Sequence, residues 1–250
     1  MAPTVADRQD CAPMDGAPTQ TWRVLTWNVR GSAQPDIDRL AEVVRSYEPD
    51  VLALQEIQPL QARRLAAVLG WQHHWGRKHY PYTHAMWWRA EGLAIMSPHR
   101  LSAVARQSIS PGVHAYTWRH RVLLAADVDR DGEHLRVVDT HLAAHAAGAD
   151  ERIVQAGRVA ARVRSDAAQL TVVAGDLNAP GEVEVIREFR VVGLRDPGGG
   201  PTNPSIAPTQ RLDYVLIPEQ ARLVEQSEPD GGEWWWSLSD HVPVLVAFEV

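Results

Sequence analysis

LTVVAGDLNAP, residues 170 to 180, is an apolar run that ends abruptly in an acid, an amide and a proline. Such a run is typical of a buried parallel strand, whose carboxyl end is where open α/β sheets place their ligand sites. Asp176 and Asn178 are two residues apart, so their side chains share one face of an extended backbone. We therefore predict that this carboxylate and carboxamide face a pocket, where they could hold a water molecule against an anionic centre.

The chain around this strand twice shows the pattern strand, helix, strand. In the first half, Trp22–Val29 and Asp50–Ile57 have strand composition, and apolar side chains recur at helical spacing between them. In the second half, HLRVVDTHL (134–142) and a helix at Asp150–Arg164 lead into the opening strand. Each pattern predicts two parallel strands with a right-handed crossover, so Asn28 and Glu56 should emerge at the same sheet edge.

The rest of the chain adds a helix, an irregular segment and further strands. A helix at 61–69 is followed by irregular structure over a cleft rim at 71–84 and by a strand at 91–97. Further strands lie between 101 and 142, with a hairpin turn at Asp131–Gly132. A glycine- and proline-rich loop at 197–208 precedes the last strands, RLDYVLI (211–217) and VPVLVAFEV (242–250). No linker or charge run divides the chain. We therefore predict one catalytic domain at 21–250, preceded by a disordered leader at 1–20.

The composition is that of an ordinary soluble globular protein, with 45% hydrophobic and 22% charged residues in a chain of 250. Without a long apolar run or the hydrophobic core of a signal peptide, we predict a cytoplasmic protein with no transmembrane segment, and we expect a monomer. Cys11 is the only cysteine, which excludes internal disulfides and thiolate metal sites. The net charge of -6 disfavours nonspecific nucleic-acid binding.

Polar side chains recur where the short apolar strands end, at Asn28, Glu56, His141, Asp176 with Asn178, Asp213, and Asp240 with His241. Taken alone, each has an ordinary explanation as a turn or helix-cap residue. Carboxylates crowded at one sheet edge would repel one another unless a cation compensates, so we predict a divalent metal. The oxygen ligands favour Mg²⁺, with Mn²⁺ as a substitute, over zinc.

Seven short motifs follow one another between residues 26 and 244: TWNVRG, LQEI, EGLAIMS, DTHL, GDLNAP, RLDYVLI and SDHVPV. In this order they resemble the endonuclease/exonuclease/phosphatase family of deoxyribonuclease-like, metal-dependent phosphoesterases. Each motif is short, but the ordered set spans nearly the whole chain after the leader. The resemblance implies a four-layer α/β sandwich, with two central mixed β-sheets flanked by helices and the active site at the shared edge of the sheets.

The resemblance also implies which residues bind the metal and activate water. Asn28 and Glu56 would bind the metal, with Asp240 as a further ligand. Asp176 would orient and deprotonate the attacking water. Asn178 would hold that water or a phosphate oxygen.

A second set of residues would contact the phosphoryl group. His241 would donate to the phosphoryl oxygen that gains charge, and Asp213 would fix its tautomer. His141 would be a second phosphate-facing histidine, and Glu91 matches the carboxylate that pairs with it.

Arginines would bind the substrate. Arg121 stands where several family members carry a phosphate-contacting arginine, with Arg119 as the neighbouring candidate. Arg30 follows the first asparagine by two residues, where the abasic-site endonucleases of the family carry an acid, and we assign it to substrate binding.

We therefore predict a Mg²⁺-dependent phosphoester hydrolase, a phosphodiesterase or phosphatase, that uses in-line attack by an activated water without a phosphoenzyme. Its substrate would be a phosphoester of a small molecule, a lipid headgroup or a nucleotide. The alternative is a DNA or RNA endonuclease or exonuclease with the same active site, with nucleic acid as partner. A non-catalytic binding protein on this fold would need a missing catalytic group, and none of the expected groups is missing.

Two segments have open interpretations. Trp234, Trp235 and Trp236 lie just before the SDHVPV motif, where they could cover the cleft and stack a base, sugar or lipid, or could pack the loop onto the sandwich. Four histidines could bind a second metal, although their carboxylate-poor surroundings favour solvated side chains: His73, His74, His79 and His84.

Overall fold

The computed structural model describes residues 21–79, 84–110, 120–144, 148–165, 170–181 and 183–250. The strands are β1 Thr21–Asn28, β2 Val51–Ile57, β3 Gln72–Arg77, β4 Gly92–Ser97, β5 Arg100–Ser108, β6 Val122–Arg130, β7 Glu133–His141, β8 Thr171–Asp176, β9 Leu194–Arg195, β10 Asp213–Pro218, β11 Arg222–Ser227 and β12 Val244–Glu249. The helices are α1 Ile37–Tyr47, α2 Pro59–Leu69, α3 Ala149–Ser165, α4 Val183–Arg190 and the single turn α5 Glu233–Trp236. The predicted leader at 1–20, with Cys11, lies outside the described residues.

The strands form two six-stranded mixed sheets, ordered β11-β12-β1-β2-β4-β3 and β5-β6-β7-β8-β10-β9. Apolar side chains from the facing sides of both sheets, such as Val24, Ile95 and Val137, form one buried cluster. A second cluster joins α1 and α2 to the outer face of the first sheet, and a third joins α3 and α4 to the second sheet. The predicted four-layer α/β sandwich is confirmed. None of the helices in the described ranges has the length and apolar character needed to cross a bilayer.

Both predicted strand, helix, strand units pair in parallel, β1 with β2 and β7 with β8. In the first unit, the carboxylate of Asp36 caps α1 by accepting the backbone N–H groups of Asp38 and Arg39. In the second unit, Gly175 has a φ of 140°, and a Cβ there would lie 1.9 Å from the carbonyl oxygen of Thr140. Glycine is therefore required for the close approach of β8 to β7, just before Asp176.

The sequence prediction was wrong for residues 71–84 as a wholly irregular segment, because β3 forms there and pairs with β4. Five of the six β3 residues keep partial or full exposure, since this strand is the edge of its sheet. An edge strand exposed on both faces imposes no apolar alternation, so the usual strand signal is absent. The strand β11 and the helix α4 were not predicted either. The predicted hairpin turn at Asp131–Gly132 is confirmed.

Candidate active site

A cleft of about 400 Å³ lies where strands of both sheets end. Its lining residues are Asn28, Glu56, Lys78, His79, Glu91, Arg121, His141, Ala144, Asp176, Asn178, Asp240 and His241. Every predicted site residue except Asp213 and Arg30 is among them. Asp213 contacts the ring of His241, and the Arg30 guanidinium lies 3.5 Å from the Asp240 carboxylate, so both stand next to the lining.

Asp176 is at the centre of the site because strand register places it between two other site residues. It lies opposite His141 on β7 and opposite Asp213 on β10. Its Oδ2 accepts a hydrogen bond from Asn28 Nδ2 at 3.1 Å, and its Oδ1 accepts the backbone N–H of Asn178 at 2.9 Å. Burial raises the pKa of Asp176 to about 7, with the charge of Asp213 adding to the shift. The carboxyl therefore titrates near neutral pH.

His241 forms a tight pair with Asp213. Its Nδ1 donates to Asp213 Oδ2 at 2.7 Å, and Thr202 Oγ1 donates to the same oxygen at 2.6 Å. Burial opposes protonation of the ring, but the charge and hydrogen bond of Asp213 raise the pKa of His241 to about 10. The other ring nitrogen, Nε2, lies 3.9 Å from Asp176 Oδ2. A charged imidazole therefore faces the central carboxylate.

The turn that carries His241 is fastened to the end of β1. The Trp27 indole donates to the His241 carbonyl at 2.8 Å, and Ser239 Oγ donates to the Asn28 carbonyl at 2.6 Å. Trp235 packs edge-on against Trp27, with ring centroids 6.0 Å apart. Trp235 thus packs the loop onto the sandwich, whereas its neighbours Trp234 and Trp236 are exposed and none of the three lines the cleft.

His141 is as buried as His241 but has different contacts. Its Nδ1 has no hydrogen-bond partner and lies 3.8 Å from Glu56 Oε1, while its Nε2 lies 3.5 Å from Asp176 Oδ2. Burial lowers the pKa of His141 well below its usual value, and the positive charges of Arg121 and Lys78 add to the shift. The imidazole is therefore neutral at neutral pH.

Glu91 does not make the contact that we expected. We expected it to pair with His141, but its Oε2 lies 3.4 Å from Lys78 Nζ. Lys78 follows β3 and Glu91 precedes β4, and a backbone hydrogen bond of 2.9 Å joins the two residues. The pairing of β3 with β4, which the sequence did not predict, explains this contact.

Lys78 was not predicted from the sequence as a site residue. His79 was considered only as one of the four loop histidines that could bind a second metal. Lys78 is the only lysine of the chain, which was a visible signal, and it is 4% exposed. Burial lowers its pKa, and Arg121 adds to the shift. Burial also lowers the pKa of His79 to about 4, with Lys78 and Arg121 contributing.

Of the three loop histidines whose side chains the structure describes, His79 lies in the cleft lining. His73 and His74 are consecutive on β3 and so point to opposite faces of the sheet, and the side chain of His84 lies outside the described residues. A joint metal site of these histidines is therefore not supported within the described part of the chain.

Arg121 lies beside Lys78 in the cleft lining, and it is 3% exposed. Its Nε and NH1 have no hydrogen-bond partner. Burial lowers the pKa of Arg121, but the carboxylates of Glu56, Asp176 and Glu91 oppose the shift. The neighbouring candidate Arg119 lies outside the described residues.

Two groups of residues could hold a divalent cation. In the first, Asn28, Glu56 and Asp240 present amide and carboxylate oxygens to one cleft, which suits Mg²⁺. Glu56 has a φ of 59° at a bulge of β2, and such a conformation in a residue other than glycine is a common mark of a functional position.

In the second group, ligand atoms of Asp176, Asp213 and His241 lie within 4.8 Å of one another. A cation bound by His241 Nε2 would require the ring to lose the proton that Asp213 stabilises. The first group fits Mg²⁺ better, because it offers only oxygen ligands, whereas the second includes a histidine nitrogen.

A family model described as the endonuclease/exonuclease/phosphatase family matches residues 25–241. The chain belongs to this family. Members act as hydrolases on phosphoesters, including nucleic acids. The match covers every predicted site residue, from Asn28 to His241. No curated protein matches the sequence.

Solved structures of this family share the fold. The chain is 18% identical to an endonuclease/exonuclease/phosphatase from Bacteroides vulgatus, with a TM-score of 0.76 over 92% of this chain and 99% of that one. The chain is 16% identical to a mannosyl-6-phosphatase of Bacteroides thetaiotaomicron VPI-5482, with a TM-score of 0.72 over 92% of this chain and 100% of that one. It is 19% identical to the human Nocturnin catalytic domain with bound sulfate, with a TM-score of 0.72 over 92% of this chain and 94% of that one.

Proposed function

We propose that this family member is a Mg²⁺-dependent phosphoester hydrolase in which Asp176 is the general base. The observation that carries the proposal is the approach of Asp176 Oδ2 and His241 Nε2 to 3.9 Å in the cleft. The pKa of Asp176, raised to about 7 by burial, suits a base that works near neutral pH. The imidazole opposite it holds its proton, because Asp213 raises the pKa of His241 to about 10.

The side chains then have complementary tasks in an in-line attack on phosphorus. Asp176 takes a proton from the attacking water, which Asn178 helps to hold. His241 Nε2 donates to the phosphoryl oxygen that gains charge, and Asp213 keeps the ring oriented and charged. Positioning and charge neutralisation suffice for this reaction, so no phosphoenzyme is needed.

Asn28, Glu56 and Asp240 would hold Mg²⁺, with Mn²⁺ as a substitute. When bound, the ion supplies positive charge that stabilises the phosphoryl oxygens. The hydrogen bond from Asn28 Nδ2 to Asp176 Oδ2 supports this arrangement, because it orients the base beside the ligand group. The side-chain oxygen of Asn28 accepts the backbone N–H of Arg30 at 3.1 Å and has a second lone pair for the ion.

The remaining residues contact or support the substrate. His141, being neutral, can donate one hydrogen bond to a phosphate oxygen. Arg121 has open donors in the cleft, and Arg30 stands at its margin beside Asp240. Glu91 acts through Lys78, which it contacts, rather than through His141.

A small phosphoester fits the site best. The cleft volume of about 400 Å³ lies in the usual range for small-molecule pockets, about 300–1,000 Å³. A similar structure is named as a mannosyl-6-phosphatase, which acts on a sugar phosphate. The alternative of a nuclease predicts that the protein degrades a single-stranded oligonucleotide at low salt and that EDTA stops this degradation. A cytoplasmic location, a monomeric state and a single domain at 21–250 stay predictions.

The proposal is tested with Asp176→Asn. The carboxamide keeps the shape of the side chain but cannot accept the proton of water, so we expect kcat/KM for aryl phosphoesters in Mg²⁺ to fall by about 10³-fold. Circular dichroism and the melting temperature should show a folded protein. Activity like that of the wild type would remove Asp176 as the base.

Asp127→Asn is the matched control. Asp127 is on β6 and pairs with Arg136 at 2.8 Å, at the opposite end of the strand from Arg121. This substitution removes a paired carboxylate of the same sheet outside the cleft lining, so it should leave kcat/KM within about twofold of the wild type.

A further inference from the structure

Two buried cations, Lys78 and Arg121, line the cleft, and we call them the cationic wall. Strand order sets their place, because Lys78 follows β3 and Arg121 precedes β6. His241 precedes β12, which is separated from β3 by β1, β2 and β4 in the first sheet. The cationic wall and His241 therefore stand at opposite ends of the row of site residues, with Asp176 and Glu56 between them.

The hydrogen-bond donors of the cationic wall are only partly paired. Lys78 Nζ lies 3.4 Å from Glu91 Oε2, and this is the one ion pair of the wall within the described ranges. Arg121 keeps Nε and NH1 without a hydrogen-bond partner although it is buried. Buried donors of a charged group are costly unless an acceptor completes them. The open donors thus indicate an acceptor that enters with the substrate.

A simple phosphodiester does not supply this acceptor. It carries one negative charge, which the proposed metal and His241 would neutralise near Asp176. Its neutral alkyl arm would then face the cationic wall and leave Arg121 Nε and NH1 without an acceptor, which disfavours binding. A substrate with more charge satisfies both ends of the cleft.

We propose that the cationic wall binds a second negative charge of the substrate, beyond the single charge of a phosphodiester. This charge belongs to a phosphate oxygen that accepts from Lys78 Nζ and from Arg121 Nε or NH1. It can come from the reacting group itself, since a terminal phosphoryl group has a second pKa of about 6, or from a neighbouring phosphate. The inference rests on the phosphoester hydrolysis proposed above and names its substrate class.

Three p-nitrophenyl esters with the same leaving group test the proposal. They are p-nitrophenyl phosphate, p-nitrophenyl methyl phosphate, and the diester whose alkyl arm ends in a second phosphate. Each is measured with the wild type, Lys78→Met, Lys78→Arg and the control Arg64→Met. Arg64 is 61% exposed and pairs with Asp38 on the outer helix layer, so it matches the loss of a cation outside the cleft.

For at least one of the two esters that carry more than one negative charge, we expect Lys78→Met to lower kcat/KM by about 30-fold or more, and at least about ten times more than for the methyl diester. Lys78→Arg should restore part of the loss, and Arg64→Met should resemble the wild type. A loss confined to p-nitrophenyl phosphate places the second charge on the reacting group. A loss confined to the phosphate-bearing diester places it on a neighbouring phosphate. An equal loss for all three esters would overturn the proposal.

A binding measurement separates this proposal from the proposed function. Because Lys78 is the only lysine, protein labelled with ¹³C-lysine gives one Cε resonance. Inorganic phosphate should shift this resonance with at least about tenfold higher affinity than dimethyl phosphate, which carries one charge. Equal responses to the two anions would overturn the cationic wall. Phosphate binding of this kind without hydrolysis of any ester in Mg²⁺ or Mn²⁺ would instead overturn the hydrolytic function.

Discussion

His241 and His141 occupy the same cleft and are almost equally buried, at 6% and 3% exposure, yet their electrostatic surroundings are opposite. His241 donates to Asp213 at 2.7 Å, and this partner raises the pKa of His241 to about 10 in spite of burial. His141 has no hydrogen-bond partner at Nδ1, and burial together with Arg121 and Lys78 keeps its pKa well below the usual value. Burial alone therefore does not decide the charge of a site histidine.

The difference arises from the strand that faces each ring. The antiparallel pairing of β10 with β8 puts Asp213 beside Asp176, so a buried carboxylate is within reach of His241. His141 instead faces Asp176 across the β7–β8 pair, at 3.5 Å from Nε2, but its Nδ1 has no hydrogen-bond partner, and Arg121 and Lys78 place positive charge beside it. One end of the cleft thus has a charged imidazole, and the other has a neutral imidazole beside two cations.

Of the substitutions that act on the two histidines, Asp213→Asn should produce the largest effect, because it removes the charge that makes their pKa values differ. Removal of one partner from a buried charged pair costs about 3–5 kcal/mol, which corresponds to roughly 10²–10⁴-fold in rate if the loss falls on the transition state. We expect kcat/KM to fall by about this factor. An NMR titration should show the pKa of His241 falling toward or below its usual value.

The control for this substitution is Asp196→Asn, in which the carboxylate of another ion pair is lost. Asp196 makes a bidentate pair with Arg211 outside the cleft lining. Asp196→Asn should leave the pKa of His241 unchanged. If Asp213→Asn left both the pKa and kcat/KM unchanged, Asp213 would not be the source of the difference between the two histidines.

Substitution of each histidine by glutamine sharpens the comparison further. A charge-assisted hydrogen bond contributes about 1.5–3 kcal/mol, and a neutral one about 0.5–1.5 kcal/mol. His241→Gln should therefore lower kcat/KM by about 100-fold, whereas His141→Gln should lower it by about tenfold, since an amide can replace a neutral donor. The kinetic constants of both variants are measured with one aryl phosphoester. Equal losses would contradict the assignment of one charged and one neutral ring.

The fold and the edge at which the site lies could be predicted because they depend on short-range patterns. Apolar runs ending in Asn28, Glu56 and Asp176, with helical spacing between the strands, define parallel pairs whose ends meet. The confirmed parallel pairings of β1 with β2 and of β7 with β8 follow from this. No knowledge of the partner sheet was needed.

The contacts between side chains could not be predicted in the same way, because they depend on register and on edge strands. Lys78 enters the cleft only because β3 pairs with β4, and β3 has no apolar alternation. This pairing also gives Glu91 a lysine partner in place of His141. The bulge that turns Glu56 out of regular strand geometry has no signature in LQEI either.

Asp139, two residues before His141 on β7, gives the prediction with the smallest expected effect, which concerns the pH dependence of stability. It is fully buried, its Oδ2 has no hydrogen-bond partner, and burial raises its pKa well above the usual value, although the bond from Gln55 opposes the shift. Asp213 is equally buried but faces an imidazole. Asp139 should therefore be a neutral acid at neutral pH, where it joins the two sheets through Gln55.

A raised carboxyl pKa means that the folded protein binds the proton more tightly than the unfolded chain. The stabilising contribution of Asp139 is then complete below the unfolded pKa of about 3.9 and is lost as pH rises towards the folded pKa, by at most about 1.4 kcal/mol per pH unit. Asp139→Asn removes this titration. In urea unfolding of the metal-free protein, we expect the stability of the variant relative to the wild type to increase from pH 5 to pH 7. For the control Asp131→Asn, at the exposed turn of the same hairpin, the free energy of unfolding should change with pH in the same way as that of the wild type. If the stability of Asp139→Asn instead changed with pH in the same way as that of the wild type, the Asp139 carboxyl would be ionised in the core.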